Sequence, residues 1–172
     1  AYKYSFVNFF ITPEDKDLFE KEYGKRNNNY VIGIYEPKRV YIEEPINHFE
    51  KSVVITGSLC DMQNLLSLRR FKKHFLQVFH ETLPEWKLKI MGRNPSQEIM
   101  DLEVEFPFVK VFPNPENIRE QCSLSSIYLC QMDDGGGLKL RVMDGLRNGQ
   151  PVLTHKVSAR GYNAFMDEDF FK

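Results

Sequence analysis

An open α/β fold, with a mostly parallel sheet and helices on both faces, is what this chain predicts, and three observations carry the reading. Apolar runs of strand length alternate with segments of helical periodicity along the whole sequence. The run Val53-Val-Ile-Thr-Gly57 lacks the in-and-out alternation of a half-exposed strand and suits a parallel strand covered on both faces. The stretch from Met132 to His155 reads as a strand end, a glycine run, a helix, a Gly149 stop and another strand. Strands joined through helices in this way make right-handed crossovers in a parallel sheet.

Taken in order, Phe6 to Ile11 predicts a strand, and Pro13-Glu-Asp opens a helix capped by Thr12, with Glu14 and Asp15 favouring its dipole. Glu22 to Asn29 is turn-like, and Tyr30 to Tyr35 is a second apolar run. Glu36 to Lys51 is charged and carries two prolines, as a hinge or irregular loop does. After the Val53 strand, Leu65, Leu68, Phe71, Phe75, Val78 and Phe79 recur at helical spacing. Arg69, Arg70, Lys72 and Lys73 lie among them and read as a solvated outer face rather than a nucleic-acid or acidic-lipid patch. Trp86 to Gly92 is the next strand, Pro95 to Asp101 a short helix, and Val104 to Phe112 contains a further strand. Pro115 to Gln121 is helical, and Ser126 to Gln131 leads into the glycine run.

Composition narrows the function classes. A chain of 172 residues has room for one sizeable core. Net charge of −1 supplies no basic field for nucleic acid. No apolar stretch approaches the roughly 20 residues of a membrane span, and the N-terminus lacks a signal-peptide pattern. Cys60, Cys122 and Cys130 are an odd set without metal spacing, which suits a reducing compartment. His48, His74, His80 and His155 share no metal-binding spacing, and no metal site is expected. Gly-x-Ser-x-Gly and the P-loop pattern are both absent.

Glycines set against a helix start make an anion site, because exposed N–H groups meet the positive end of the dipole and no Cβ bars a phosphate. The alternative for Gly135-Gly-Gly137 is a tight strand-to-helix turn without a ligand. In a doubly wound sheet ligands sit outside the carboxyl ends of the strands. That rule selects three loops here: Gly57-Ser58, Gly92-Arg93, and Gly135 to Gly137 with Leu138 and Lys139 behind them.

The run Gly135-Gly-Gly-Leu-Lys-Leu-Arg-Val-Met-Asp144, followed by Leu146-Arg-Asn-Gly149-Gln-Pro151-Val-Leu-Thr154 and Ser158-Ala-Arg-Gly161, resembles the nucleotide-sugar-binding lobe of GT-B glycosyltransferases. The resemblance is to the large retaining family with a Glu-x7-Glu signature, and it covers nearly the whole chain. It implies one lobe of a GT-B fold, with residues 1–35 at the lobe boundary, 36–51 a loop or hinge, and 52–172 a donor-binding core trimmed at its C-terminus. Asp167 to Lys172 resembles the opening of one more strand.

By that resemblance Asp144 holds the donor ribose, while Gly57, Ser58, Gly92, Arg93, Gly135, Gly136, Gly137, Leu138 and Lys139 surround the nucleotide-sugar. Two departures stand out. The first acid of the signature falls on Gly136, with Asp133 and Asp134 out of register. The first loop, Ser58 to Asn64, carries none of the cations that usually neutralise the diphosphate, so Lys139, Arg141 or Arg93 would have to substitute.

The function expected from the resemblance is transfer of a hexose from a UDP- or GDP-sugar to a glycan or lipid-linked acceptor, without metal or other cofactor. The full-length protein would be the enzyme, completed by an N-terminal acceptor lobe, and the isolated lobe inactive. The expected setting is cytoplasmic, with the full-length protein peripheral at the inner membrane face. The competing expectation is a non-catalytic, degenerate Rossmann-like module for interaction or regulation.

Overall fold

Val53, Val54 and Ile55 are buried on both sides of their strand, so that strand takes the centre of the sheet. The computed structural model describes residues 5–33 and 50–162. Its elements are β1 (Asn8–Phe10), α1 (Pro13–Tyr23), β2 (Asn29–Val31), β3 (Glu50–Ser58), α2 (Met62–Phe71), a π-helical turn (Lys72–Leu76) and α3 (Gln77–Thr82). They continue with β4 (Lys87–Arg93), α4 (Gln97–Met100), α5 (Leu102–Glu105), β5 (Val109–Pro113), α6 (Ile118–Ser123), β6 (Ser125–Cys130), α7 (Leu140–Arg147) and β7 (Val152–Thr154). The main sheet has order β5-β4-β3-β6-β7, and every pairing in it is parallel. Strand order reverses between β3 and β6, which makes their carboxyl ends the topological switch point.

Strand residues alternate between two apolar layers. Val53, Ile55, Leu88, Ile90 and Leu129 pack with Leu68 and Leu76 of the long helix and with Ile99 and Leu102. Val54, Met91 and Tyr128 face the other way with Cys122, while Cys130 joins Met132, Val142 and Tyr162 beside α7. Each fully buried aliphatic side chain contributes about 1.5–3 kcal/mol. Gly145 allows α7 to lie flat on the sheet, since a Cβ there would sit 2.7 Å from Val152 and 2.8 Å from Tyr128.

The helix expected from Leu65 to Phe79 forms, but not in one phase. The π turn rotates each residue less than an α turn, which brings Leu76 onto the core. Phe75 and Val78, expected in the apolar stripe, are therefore exposed. The basic cluster is also more engaged than a solvated face. Arg69 pairs with Glu98 at 2.6 Å, Lys72 with Glu105, and Arg70 with Asp133. As exposed pairs they contribute about 0–1 kcal/mol each, yet they tie the helix to α4, α5 and the β6 exit.

β1, α1 and β2 form a separate parallel βαβ unit. Thr12 caps α1 as expected, accepting from the Asp15 N–H at 3.1 Å. Inside the unit Glu20 is buried, paired with Lys16 at 3.3 Å and accepting from Asn29 at 3.1 Å, and these partners hold its carboxyl below the usual range. Phe6, Phe9, Tyr30 and Ile32 remain exposed on it. The unit meets the main body at Gly161, whose N–H donates to Glu14 at 3.4 Å.

Most of the expected Glu36–Lys51 loop and the strand expected from Asp167 lie outside the described residues; Glu50 and Lys51 already belong to β3. No helix of the described residues is long and apolar enough to cross a membrane.

Candidate functional site

The exits of β3 and β4 lock together through glycine. Gly57 pairs with Gly92 and Ser58 with Arg93, and a Cβ on Gly92 would fall 1.8 Å from the Gly57 carbonyl oxygen. The Leu59 N–H donates to the Arg93 carbonyl at 2.8 Å. At the next exit, Asn94 and Asn114 take φ of 51° and 49°, a region costly for residues with a Cβ. The Asn94 N–H donates to the Asn114 side chain at 2.9 Å, and the Asn114 N–H donates to the Gly92 carbonyl at 2.8 Å. These bonds hold Arg93 and Pro115 at a shared rim.

Below that rim, α6 and α7 leave a cavity of about 500 Å³ over the sheet. Thr56, Gly57 and Ser58 from β3, Gly92 and Arg93 from β4, and Tyr128 from β6 line the strand side. Pro115, Ile118, Arg119 and Cys122 close it on one flank, and Arg141, Asp144, Arg147 and Asn148 on the other. The Tyr128 hydroxyl is hydrogen-bonded to Thr56 and its pKa is raised by burial, while the Cys122 thiol is pushed up to about 12 by the same cause. Both groups stay protonated near neutral pH.

Charge in the cavity is one-sided. Four arginines line it against a single carboxylate, Asp144, which pairs with Arg147 at 3.3 Å. The Arg141 guanidinium lies over Gly57 and donates to the Met132 thioether at 3.4 Å. This lining presents positive charge for an anion and one carboxylate acceptor for hydroxyl groups beside it.

Of the residues selected from sequence, Gly57, Ser58, Gly92, Arg93 and Asp144 come together here, while Gly135, Gly136, Gly137, Leu138 and Lys139 do not line the cavity. The glycine run also ends before the helix: α7 begins at Leu140, with Lys139 as its N-cap. Asp144 accordingly lies on the second turn, about 6 Å along the axis from Leu140. The loop leans on α2 instead. Gln63 donates to the Asp134 carbonyl at 3.2 Å, the Gly135 N–H donates to the Asp134 side chain at 2.6 Å, and Lys139 Nζ donates to the Gly136 carbonyl at 3.3 Å. Gly135 and Gly137 have φ of 93° and 72°, so their glycines serve the turn itself. Behind the loop, Ser158 donates to the Met132 carbonyl at 2.5 Å and the Tyr162 hydroxyl to the Lys139 carbonyl at 2.8 Å. His155 is used locally, its Nδ1 accepting from the Val157 N–H at 3.2 Å.

Sequence reasoning missed Thr56, Tyr128 and Cys122 on the strand and α6 sides, and Pro115, Ile118, Arg119, Arg147 and Asn148. For α7 a signal existed, since Arg141, Asp144 and the C-cap Asn148 follow at intervals of three and four and Arg147 lies three beyond Asp144, helical neighbours by spacing. Nothing in the short Asn117–Arg119 segment distinguished a cavity wall from a solvated turn. Among the described residues no three His, Cys, Asp or Glu side chains are grouped to hold a metal ion.

No family model matches the chain. It is similar to an uncharacterized glycosyltransferase of Haemophilus influenzae, with 25% identity over 156 residues, 86% of this chain and 41% of that protein. Among solved structures, the pneumococcal O-GlcNAc transferase GtfA in complex with UDP and GlcNAc superposes with a TM-score of 0.67 at 14% identity, over 93% of this chain and 32% of that one. A mutant of S. aureus TarM in complex with fondaparinux, alpha-GlcNAc-glycerol and UDP gives 0.71 at 12% identity, over 94% and 32%. The fold is thus the Rossmann-like α/β fold of one GT-B lobe, and the chain spans less than half of the curated relative and about a third of these structures.

Proposed function

We propose that this chain is the donor-binding lobe of a glycosyltransferase that transfers a hexose from a UDP- or GDP-sugar to a saccharide or lipid-linked acceptor in glycan synthesis. One observation carries the reading: the single carboxylate of an arginine-lined cavity, Asp144, stands beside the switch point where a Rossmann-like sheet receives nucleotides. In this arrangement Asp144 accepts from the ribose hydroxyls, and the diphosphate reaches the glycine exits of β3 and β4. The sugar extends from there toward Gly135 to Leu138 and Lys139. Transfer breaks the bond between the sugar and the diphosphate, and the leaving diphosphate is stabilised by side-chain cations without a metal. UDP in both superposed structures supports the nucleotide class.

A second lobe supplies the acceptor site. The apolar surface of β1 and β2, with Phe6 95% exposed and Phe9 63% exposed, suits continuation of that small sheet in another lobe. Without that lobe the site cannot close, and this chain alone transfers no sugar. The full-length protein works in the cytoplasm, at the inner face of the membrane when its acceptor is lipid-linked.

Thermal shift with UDP, GDP and ADP tests the donor reading. One of the three at about 100 times its dissociation constant should stabilise the chain by about 2.7 kcal/mol, and the Asp144→Ala variant should lose most of that shift. The non-catalytic reading is favoured by Gly136 in place of the first acid and by the cation-free Ser58–Asn64 loop. Absence of a shift with all three nucleotides would decide for it.

A further inference from the structure

On the long helix, Arg69 and Arg70 are matched with the carboxylates of Glu98 and Asp133. Of the four cavity arginines, Arg147 is matched in this way, with Asp144. Arg93 from the β4 exit, Arg119 from α6 and Arg141 from α7 line the cavity too, and none has a carboxylate partner among the described residues. Arg141 is the sharpest case, since its hydrogen bond goes to a thioether, a weak acceptor for a group with five donors. Gathering like charges in one concave site costs self-repulsion, which a bound anion relieves.

The geometry points to Arg93, Arg119 and Arg141 as a diphosphate clamp that has moved from the first loop to the walls of the cavity. This inference rests on the donor reading for the identity of the nucleoside, but not for the anion. The physical requirement is positive charge around two adjacent phosphates, and it does not matter which loop supplies it. In this chain the loop after β3 carries no cation, while three other elements each contribute one guanidinium at the same strand exits. Arg141 covers Gly57, where a Cβ would lie 2.2 Å from its Nη2, so its charge sits against the main chain that a phosphate approaches. Arg93 is carried by the backbone bond from Leu59 to its own carbonyl, which fixes it to the same exit. Arg119 closes the opposite flank. Three guanidiniums approaching from three elements suit a diphosphate over a monophosphate, and inorganic pyrophosphate is the simplest probe.

Isothermal titration of the chain with pyrophosphate, UDP, GDP and the matching monophosphates tests this. The expected result is that pyrophosphate binds and competes with the diphosphate nucleotide, and that the diphosphate binds at least about tenfold more tightly than the monophosphate. Arg141→Gln and Arg119→Gln should each weaken pyrophosphate and the diphosphate nucleotide by about tenfold with an unchanged melting temperature, since a charge-assisted hydrogen bond contributes about that factor. Lys73→Gln, on an exposed helix face, should change nothing. Pyrophosphate binding that depends on the arginines supports the clamp even when no nucleotide binds, a result that would overturn only the donor reading. Nucleotide binding that depends on Asp144 but is indifferent to both arginine variants overturns the clamp and leaves the donor reading standing. Failure of both pyrophosphate and nucleotides to bind overturns the clamp as well.

Discussion

Gly57 and Arg141 meet face to face at the switch point: the guanidinium occupies the space of a Cβ, which would fall 2.2 Å from Nη2. Eighty-four residues apart in sequence, they join the exit of the central strand to the first turn of α7. A neighbouring glycine contact differs in kind, because Gly92 abuts backbone rather than a flexible side chain, with its Cβ position 1.8 Å from the Gly57 oxygen. Gly92→Ala must therefore separate two sheet strands and should cost about 3 kcal/mol or more, whereas Gly57→Ala can displace the Arg141 tip and is left chiefly with the strain of its φ of 153°, about 1–3 kcal/mol. Urea denaturation of the two variants measures the difference; a Gly57→Ala cost above that of Gly92→Ala would mean that Arg141 is rigidly held.

Asp144→Ala should weaken nucleotide binding by about 1.5–3 kcal/mol, the range for hydrogen bonds to a charged group. Its effect on folding should stay below about 1 kcal/mol, because Asp144 lies on the surface of α7 and its Arg147 pair is half exposed. Titration calorimetry on the variant checks the first number and urea denaturation the second. Unaltered affinity would remove Asp144 from the ribose.

Asp133 makes stability depend on pH in the acid range. Its bidentate bonds to Arg70 hold its carboxyl below the ordinary 3.8. A depressed folded-state value means that the stabilisation is fully present above the unfolded value and fades as pH falls through the folded one. The urea midpoint should thus decline on acidification below about pH 4. Asp133→Asn should have a lower midpoint at neutral pH and a shallower acid decline than the parent chain. Parallel curves for the two proteins would show that Arg70 and Asp133 are not coupled in solution.

Gly161 is a joint between the βαβ unit and the loop before α7. Its φ is 79°, and a Cβ would lie 2.5 Å from Leu138 and 2.9 Å from Thr12. Gly161→Ala should cost about 1–3 kcal/mol through strain and crowding together. The consequence is local as well as global, because Leu138 must shift and with it the Asp134–Lys139 segment. Hydrogen exchange should rise at residues 135–139 relative to the core strands β3 and β4. Uniform exchange across the chain would show that the joint does not hold that loop.

How much of this was legible in the sequence depends on how local each signal is. The apolar run at Val53 predicted a doubly covered central strand, and Thr12 with Pro13 predicted a helix start, because strand burial and capping are written in a few adjacent residues. The helix through Leu65 was legible but its phase was not. Whether Phe75 or Leu76 enters the core depends on a π turn selected by packing against Ile99 and Leu102 rather than by the helix alone. Gly136 and the cation-free loop were legible as departures, but their physical consequence was not.

By itself the sequence determined the order of strands and helices, the glycines at three strand exits, and Asp144 on the helix before Gly149. Only the tertiary structure decided that the glycine run leans on Gln63 of α2 and that the cavity opens between α6 and α7. It also brought Arg93, Arg119 and Arg141 together, which no sequence spacing records, since they come from a strand exit and two different helices. Periodicity and capping act within a turn or two of chain, so they can be read from neighbours. Charge convergence acts across the sheet and is set by strand order, which reverses between β3 and β6 and so gathers Gly57, Arg93, Arg119 and Arg141 from four separate segments around one cavity.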